Sequence, residues 1–438
     1  MAEPEPGRLS VTASFDLHRD TALSLDQDDP LAQFRQRFNY PSGQRERRPV
    51  YLCGHSLGLQ PKTAARFVQE ELEDWATLGV EGHFRARRPW LPYHRFATSG
   101  LAALTGARDE EVVAMNTLTV NLHLLMASFY RPTATRHKIL IESTAFPSDR
   151  FAATSQIRLH GFDPSDSLVE WRPRDAGGTL VIEDLLSILD ECGDELALLL
   201  LPGVQYFNGQ LLDMQEICAR ARAADCAVGL DLAHAIGNVP LELHDWGPDF
   251  AAWCSYKYLN GGPGAVGGAF IHQRHLGGDG SAQLLGWWGN EEQSRFRMNA
   301  AFEPAQGAEL WQLSNPPILS LAPVLASLEV FEDAGRDRLR AKSLRLGAYI
   351  DWLLEQKLAG RVRCITPAEA RGAQVSLTIA DGNIEASDVF RKLAQQEVFA
   401  DWREPNVIRV AAAPLYNGFC DVFDFVERLQ AALDGSGS

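Results

Sequence analysis

Lys257 ends the apolar run AAWCSY at 251–256 and is followed by the glycine-rich GGPGAVGG at 261–268. A lysine at the end of a buried strand is desolvated, which lowers its amine pKa and makes it nucleophilic toward a carbonyl carbon. Upstream, VGLDLAH at 228–234 ends another apolar run in Asp231. An Asp and then a Lys on consecutive strands supply what pyridoxal 5'-phosphate requires. The amine forms the Schiff base, and the carboxylate keeps the pyridine nitrogen protonated so that the ring takes up electrons. Taken singly, Lys257 also reads as a solvated surface charge and Asp231 as a helix cap.

A phosphate needs donors at a helix N-terminus. In NTLTVNLHLLMASF at 116–129 a strand ends at Asn116, and Thr117 and Thr119 stand where a helix begins. A plain Thr N-cap on a core helix is the alternative. FPSD at 146–149 opens a helix in the same way, and Phe146 is placed to stack on a ring. His234 is equally a site residue or a satisfied core histidine. Tyr256 adjoins Lys257 and shares its site only if the strand ends or bulges there, because neighbours on a strand face opposite ways. Gly262, Gly264 and Gly267 fit GxGxxG, but they lead into the strand-like GGAFIHQ rather than a helix, so a dinucleotide site is rejected. The histidines form no HExxH, and no metal is expected.

The chain has 438 residues, 45% hydrophobic and 22% charged, with a formal net charge of −16. That charge disfavours nucleic acid and anionic membrane surfaces. The cysteines Cys53, Cys192, Cys218, Cys226, Cys254, Cys364 and Cys420 are odd in number and form no CxxC pair, which suits free thiols in a reducing compartment. The acidic, Pro-rich N-terminus lacks a signal-peptide pattern, no run is long and apolar enough to span a bilayer, and a cytoplasmic location is expected.

Strand-then-helix units recur: EVVAMN; KILIES with FPSDRFAATSQIRLHG; LALLLLPG with MQEICARARAADC; AVGLDLAH; FAAWCSYK; GGAFIHQ. They imply a mostly parallel sheet covered by helices on both faces. The run PKTAARFVQEELEDWATL has helical spacing, with Phe67, Leu72 and Trp75 on or near one face. Pro316 and Pro317 mark a change of texture. Beyond them, helices over 319–331 and 336–356 mix with the short strands VRCIT, QVSLTI and VIRVAA. The division expected is a surface arm at 1–60, which includes the basic run RERR, a large domain at 61–316 and a small domain at 317–438.

Several blocks together resemble the kynureninase family: YLCGHSLGLQPK, the GH…RPW stretch at 82–90, LTVNLHLLM, FPSDR, Gly209-Gln210, DLAHAIGNVPLELHDWGPDFAAWCSYKYLNGGPG, GWWG, SNPPI and IRVAAAPLYN. They lie between about residues 50 and 420 and cover most of the chain. The resemblance implies an α/β fold of the fold-type-I, aspartate-aminotransferase kind, with the large domain's mostly parallel sheet and a smaller α+β C-terminal domain. It also implies a homodimeric, pyridoxal-phosphate-dependent hydrolase that cleaves kynurenine or 3-hydroxykynurenine, releasing L-alanine.

Roles follow from the same resemblance. Leu118 and Thr119 would meet the phosphate, within a set that includes Pro147 and Ser148. Phe146 would stack on the ring, Asp149 would lie beside the cofactor, Asp231 would pair with the ring nitrogen, and His234 would contact its oxygen side. Lys257 would carry the cofactor, and Tyr256 would bind phosphate and move a proton. Trp287 and Asn315 would reach in from a partner subunit. Arg409 would clamp the substrate α-carboxylate, with Ser56 and His83 toward the aromatic end. Departures from many relatives are His55, where GNSLG is common, and Pro202, where a Ser stands before GV; the tyrosine found nearby in relatives is matched only loosely by Tyr206 and Phe207. The rivals are a cysteine-desulfurase-like or aminotransferase-like enzyme on the same fold, and a non-catalytic member.

Overall fold

The computed structural model describes residues 15–43, 48–174, 178–277, 283–298 and 301–435. The extreme N-terminus, most of the basic run at 45–48 and the Gly-Ser end lie outside them. The principal sheet contains β1 (Val112–Ala114), β2 (Lys138–Glu142), β3 (Leu168–Trp171), β4 (Leu196–Pro202), β5 (Ala227–Asp231), β6 (Phe250–Trp253) and β7 (Gly268–Ile271). Their order is β1-β7-β6-β5-β4-β2-β3. The β2–β3, β2–β4, β4–β5 and β5–β6 pairs are parallel. β7 runs antiparallel to β1 and β6.

The apolar runs are continuous because both faces of the sheet are covered. Leu199 and Leu201 of β4 enter one core with Leu230 and Trp253, while Leu198 and Leu200 enter the other with Ile139, Ile141 and Phe250. This is the period-2 rule applied to a sheet without a wet face. β3 is an addition to the expected strands. Its residues are mostly half-buried, so an edge position required no apolar run for sequence reading to find.

The helices used below are α1 (Arg19–Gln27), α2 (Ala64–Leu78), α3 (Leu118–Phe129), α4 (Pro147–Leu159), α5 (Met214–Ala223), α6 (Ile318–Ala334), α7 (Arg336–Leu358), α8 (Ala386–Gln395) and α9 (Phe419–Asp434). On α2 the buried positions are Ala64, Phe67, Glu71 and Asp74, whereas Leu72 and Trp75 are 38% and 61% exposed. The expected apolar face is corrected because polar groups occupy the inner stripe with partners. Glu71 accepts from Arg88 Nε at 2.8 Å, Tyr93 OH at 2.9 Å and Trp90 Nε1 at 3.0 Å. A buried carboxylate satisfied in this way is tolerated inside, and apolar side chains are left outside.

A second, antiparallel sheet holds β8 (Val362–Cys364), β9 (Gln374–Ile379), β10 (Asp401–Arg403) and β11 (Val407–Ala411), in the order β8-β9-β11-β10. Its core joins α7, α8 and α9 through Leu346, Tyr349, Val389, Val422 and Phe425. Ala22 of α1, Val50 and Leu52 belong to that same core, and Val50–Tyr51 pairs in parallel with residues 398–399. The expected arm is divided between two cores: Ala22, Val50 and Leu52 join that of the C-terminal sheet, and Leu31, Phe34, Phe38, Tyr51 and Leu59 join the core of the large sheet. α6 packs the other way: Leu321, Val324, Leu325 and Phe331 join the core under the large sheet. The division expected at 316/317 thus falls ahead of a helix whose packing is with the large body.

Candidate active site

Open α/β sheets collect ligands at the carboxyl ends of their strands, and the residues singled out above gather there. A cavity of about 250 Å³ is lined by Glu142 at the end of β2, Pro202 at the end of β4 and Asp231 at the end of β5. After β1 come Thr117, Leu118 and Thr119, and after β6 come Cys254, Tyr256 and Lys257. Regular strand stops at Trp253. Tyr256 and Lys257 therefore escape strand alternation, and both face the cavity.

Two helices of 12 and 13 residues begin at its wall. Thr117 is the N-cap of α3, yet its side chain makes no cap hydrogen bond. Thr119 Oγ1 of α3 and Ser148 Oγ of α4 lie 2.8 Å apart. Two helix N-termini and two hydroxyls form a ready anion site. Pro147 opens α4 as its first residue and is exposed, so it shapes the helix start and does not line the cavity. Phe146 stands at the mouth, with the Tyr206 ring edge-on at 5.1 Å.

The loop carrying Lys257 is held from the N-terminal side. Gly58 N donates to Tyr256 O at 2.9 Å, and a Cβ on Gly58 would meet Lys257 O at 2.3 Å. Only glycine permits that approach. The rejected GxGxxG is explained likewise: Gly262 and Gly264 have φ of 84° and 74°, and a Cβ on Gly267 would meet Trp253 O at 2.6 Å. These glycines serve a turn and a close strand contact.

Electrostatics at the cavity are dominated by burial. Asp149 is pushed well above the carboxylate range, first by burial and then by Asp231, to which it is hydrogen-bonded. Two buried carboxyl groups side by side are suited to a protonated ring nitrogen. Burial and the positive charge of Lys257 hold His234 well below its usual value, and burial with Arg409 does the same to His55. Both imidazoles are neutral. Burial raises the Tyr256 phenol, and Cys254 adds to it. Lys257 has no ion-pair partner among the described residues, and its Nζ stands 5.8 Å from the Tyr256 ring centroid. A free amine, a carboxyl pair, a hydroxyl pair at helix starts and a ring at the mouth fit pyridoxal phosphate.

Glu142 and Cys254 line the cavity without having been singled out in the sequence. Glu142 ends KILIE as Asp231 ends AVGLD, so a polar residue closing an apolar strand was the available signal. Burial lifts the Glu142 carboxyl from 4.5 to about 8. A raised folded-state pKa contributes stability below the unfolded value, and that contribution is lost as pH rises through the folded one. The cofactor-free protein is therefore expected to lose thermal stability as the pH climbs from 4.5 to about 8. Glu142→Gln should flatten that decline, and an equally steep melting profile in the variant would show that Glu142 does not cause it.

Arg409 lies beside the cavity on β11. One Nη donates to Tyr206 O and the other to Asp401, with Ser56 Oγ at 3.5 Å. Ser56 thus neighbours the guanidinium directly. His83 is a different case: its Nδ1 lies 2.9 Å from Val80 O and its ring sits edge-on to Trp90. Neither it nor Trp287 nor Asn315 lines the cavity within one chain. Trp287 is 50% exposed, and Asn315 is exposed as well.

Comparison with known proteins agrees with this arrangement. Residues 339–429 match the model of the kynureninase C-terminal domain. The chain is 50% identical over 426 residues to a kynureninase of Koribacter versatilis, covering 97% of this chain and all of that one. It is 50% identical over 418 residues to a kynureninase of Myxococcus xanthus, covering 95% and 97%. Among solved structures, the apo cysteine desulfurase of Thermococcus onnurineus superposes with a TM-score of 0.73 at 17% identity, covering 94% of this chain and 98% of that one. A cysteine desulfurase of Escherichia coli gives 0.73 at 18%, covering 93% and 99%. Those likenesses show the fold-type-I architecture of pyridoxal-phosphate enzymes. With a cavity suited to that cofactor and identity to kynureninases along nearly its whole length, the chain belongs to the kynureninase family of pyridoxal-phosphate-dependent hydrolases acting on carbon–carbon bonds.

Proposed function

We propose that the protein hydrolyses the β,γ carbon–carbon bond of L-3-hydroxykynurenine, and less efficiently of L-kynurenine. One water is consumed, giving 3-hydroxyanthranilate or anthranilate and L-alanine. The step belongs to tryptophan catabolism and can feed NAD biosynthesis, and we place it in a cytoplasmic homodimer with shared sites. No helix among the described residues is long and apolar enough to cross a membrane. The observation that carries the reading is the convergence of Lys257, the Asp149–Asp231 pair and the Thr119–Ser148 hydroxyls on one cavity, with Arg409 beside it.

When bound, pyridoxal phosphate supplies the electron sink for breaking bonds at the substrate α- and β-carbons. Leu118, Thr119 and Ser148 would hold its phosphate, Phe146 its ring face and Asp231 its ring nitrogen. His234, being neutral, offers a hydrogen bond to the ring's oxygen without adding charge. Arg409 would orient the substrate carboxylate, placing the α-proton for Lys257 to take as base once the substrate amine has released it. Tyr256 keeps its phenol proton across the working pH range and is the group to donate it to the carbon that becomes the alanine methyl.

The finer substrate choice rests on His83 and Asn315. Trp75, Val80 and Phe84 near His83 in the sequence, and Leu284, Leu285 and Phe296 near Trp287, the last in ring contact with it, are all at least half exposed. Apolar surface of that extent supports a docking face, from which a second copy would complete the site. Side chains able to pair a ring hydroxyl penalise the analogue that lacks it. kcat/KM is expected to be higher for 3-hydroxykynurenine by about tenfold or more, and His83→Trp with Asn315→Thr should narrow or reverse the ratio. Steady-state kinetics on both substrates with product analysis tests this. Equal or better efficiency on kynurenine would sink the preference, and no cleavage of either would sink the function.

A further inference from the structure

Arg409 and Asp401 face each other directly in the β10–β11 register. Arg409 is buried and Asp401 is mostly buried, with side chains 1% and 11% exposed. Asp401 Oδ2 accepts from Arg409 and from the Ser56 hydroxyl, and its other oxygen meets Arg403 Nη1 at 2.9 Å. His55 Nε2 lies 3.7 Å away, with both ring nitrogens unpartnered. Two guanidiniums and one carboxylate leave a single positive charge. Arg409 also keeps its buried Nε without a hydrogen-bond partner.

We propose that Asp401 is the positioning residue of the carboxylate clamp. It fixes the plane of Arg409 and reduces the local charge to the one unit that a monoanionic α-carboxylate neutralises. This rests on the reading of Arg409 as the residue that takes the substrate carboxylate. A long side chain reaching its ligand from a strand has many rotamers, and a carboxylate opposite it on the neighbouring strand removes most of them before the substrate arrives. Tyr206 O holds the other Nη, so the fork is fixed at two points. An ion pair kept only for stability has little reason to be here, since apolar residues of similar volume commonly serve a core as well.

The test uses the holoenzyme, steady-state cleavage of kynurenine, and titration of the bound cofactor's visible absorbance with L-alanine and with L-alaninamide, which lacks the carboxylate. Asp401→Ala is expected to raise KM and the L-alanine dissociation constant by about tenfold or more while kcat changes by less than about threefold. Alaninamide binding should stay level. Asp401→Asn retains an oxygen for Arg409 but not the charge, and should recover only part of the loss. Unchanged L-alanine affinity in Asp401→Ala overturns the proposal. Equal losses for both ligands in both variants, with lowered melting temperatures, also overturn it by showing a structural role alone. Equal binding of the two ligands by the unmutated protein overturns it through the clamp. If the unmutated protein discriminates the two ligands and leaves kynurenine uncleaved, the proposed function fails while the titration still decides the role of Asp401.

Discussion

Lys257→Ala is expected to abolish covalent retention of the cofactor and to lower turnover by about a thousandfold or more. The amine has no ion-pair partner among the described residues and stands in a cavity where burial raises Asp149 and lowers His234. It is therefore not engaged in holding the fold, and its removal should be read in chemistry rather than in stability. Borohydride treatment followed by dialysis should leave cofactor fixed to the unmutated protein and none to the variant. Normal turnover in the variant would overturn the assignment. The same experiment speaks to the two rivals. A non-catalytic member would lose nothing measurable. A desulfurase-like enzyme would need a reactive thiol, but burial raises the Cys254 thiol to about 11, so the cysteine on the cavity wall is protonated and poorly nucleophilic.

Much of this site was legible in the sequence because its residues punctuate apolar strands. Asp231 closes AVGLD, Lys257 follows FAAWCSY, and Thr117 and Thr119 follow VVAMN. A polar residue where a buried strand ends is conspicuous without coordinates. The large sheet was legible for the same reason, since strands buried on both faces read as unbroken apolar runs. What escaped depends on pairing across the fold. Asp401 looks like one more surface acid until β10 and β11 bring it opposite Arg409. Glu71 and Asp74 look solvated until Arg88, Trp90, Tyr93 and the Arg87 backbone satisfy them. The N-terminal segment reads as an arm because its few apolar residues are shared between two cores built mainly by other parts of the chain.

Mixing two crippled chains is expected to restore activity that neither has alone. Trp287 and Asn315 stand exposed on the chain and do not line its own cavity, while the resemblance to kynureninases implies that both serve a partner's site. In a two-fold dimer a Lys257→Ala chain paired with a Trp287→Ala chain makes one doubly damaged site and one intact site, because the intact lysine meets the intact tryptophan across the interface. With random exchange half the dimers are hybrids, so about a quarter of the original sites return. Single-chain sites would predict simple dilution of two inactive proteins. Activity should therefore rise from background as exchange proceeds, tracking the hybrid fraction measured by native mass spectrometry. Confirmed hybrids with no recovery would mean that Trp287 does not act across subunits.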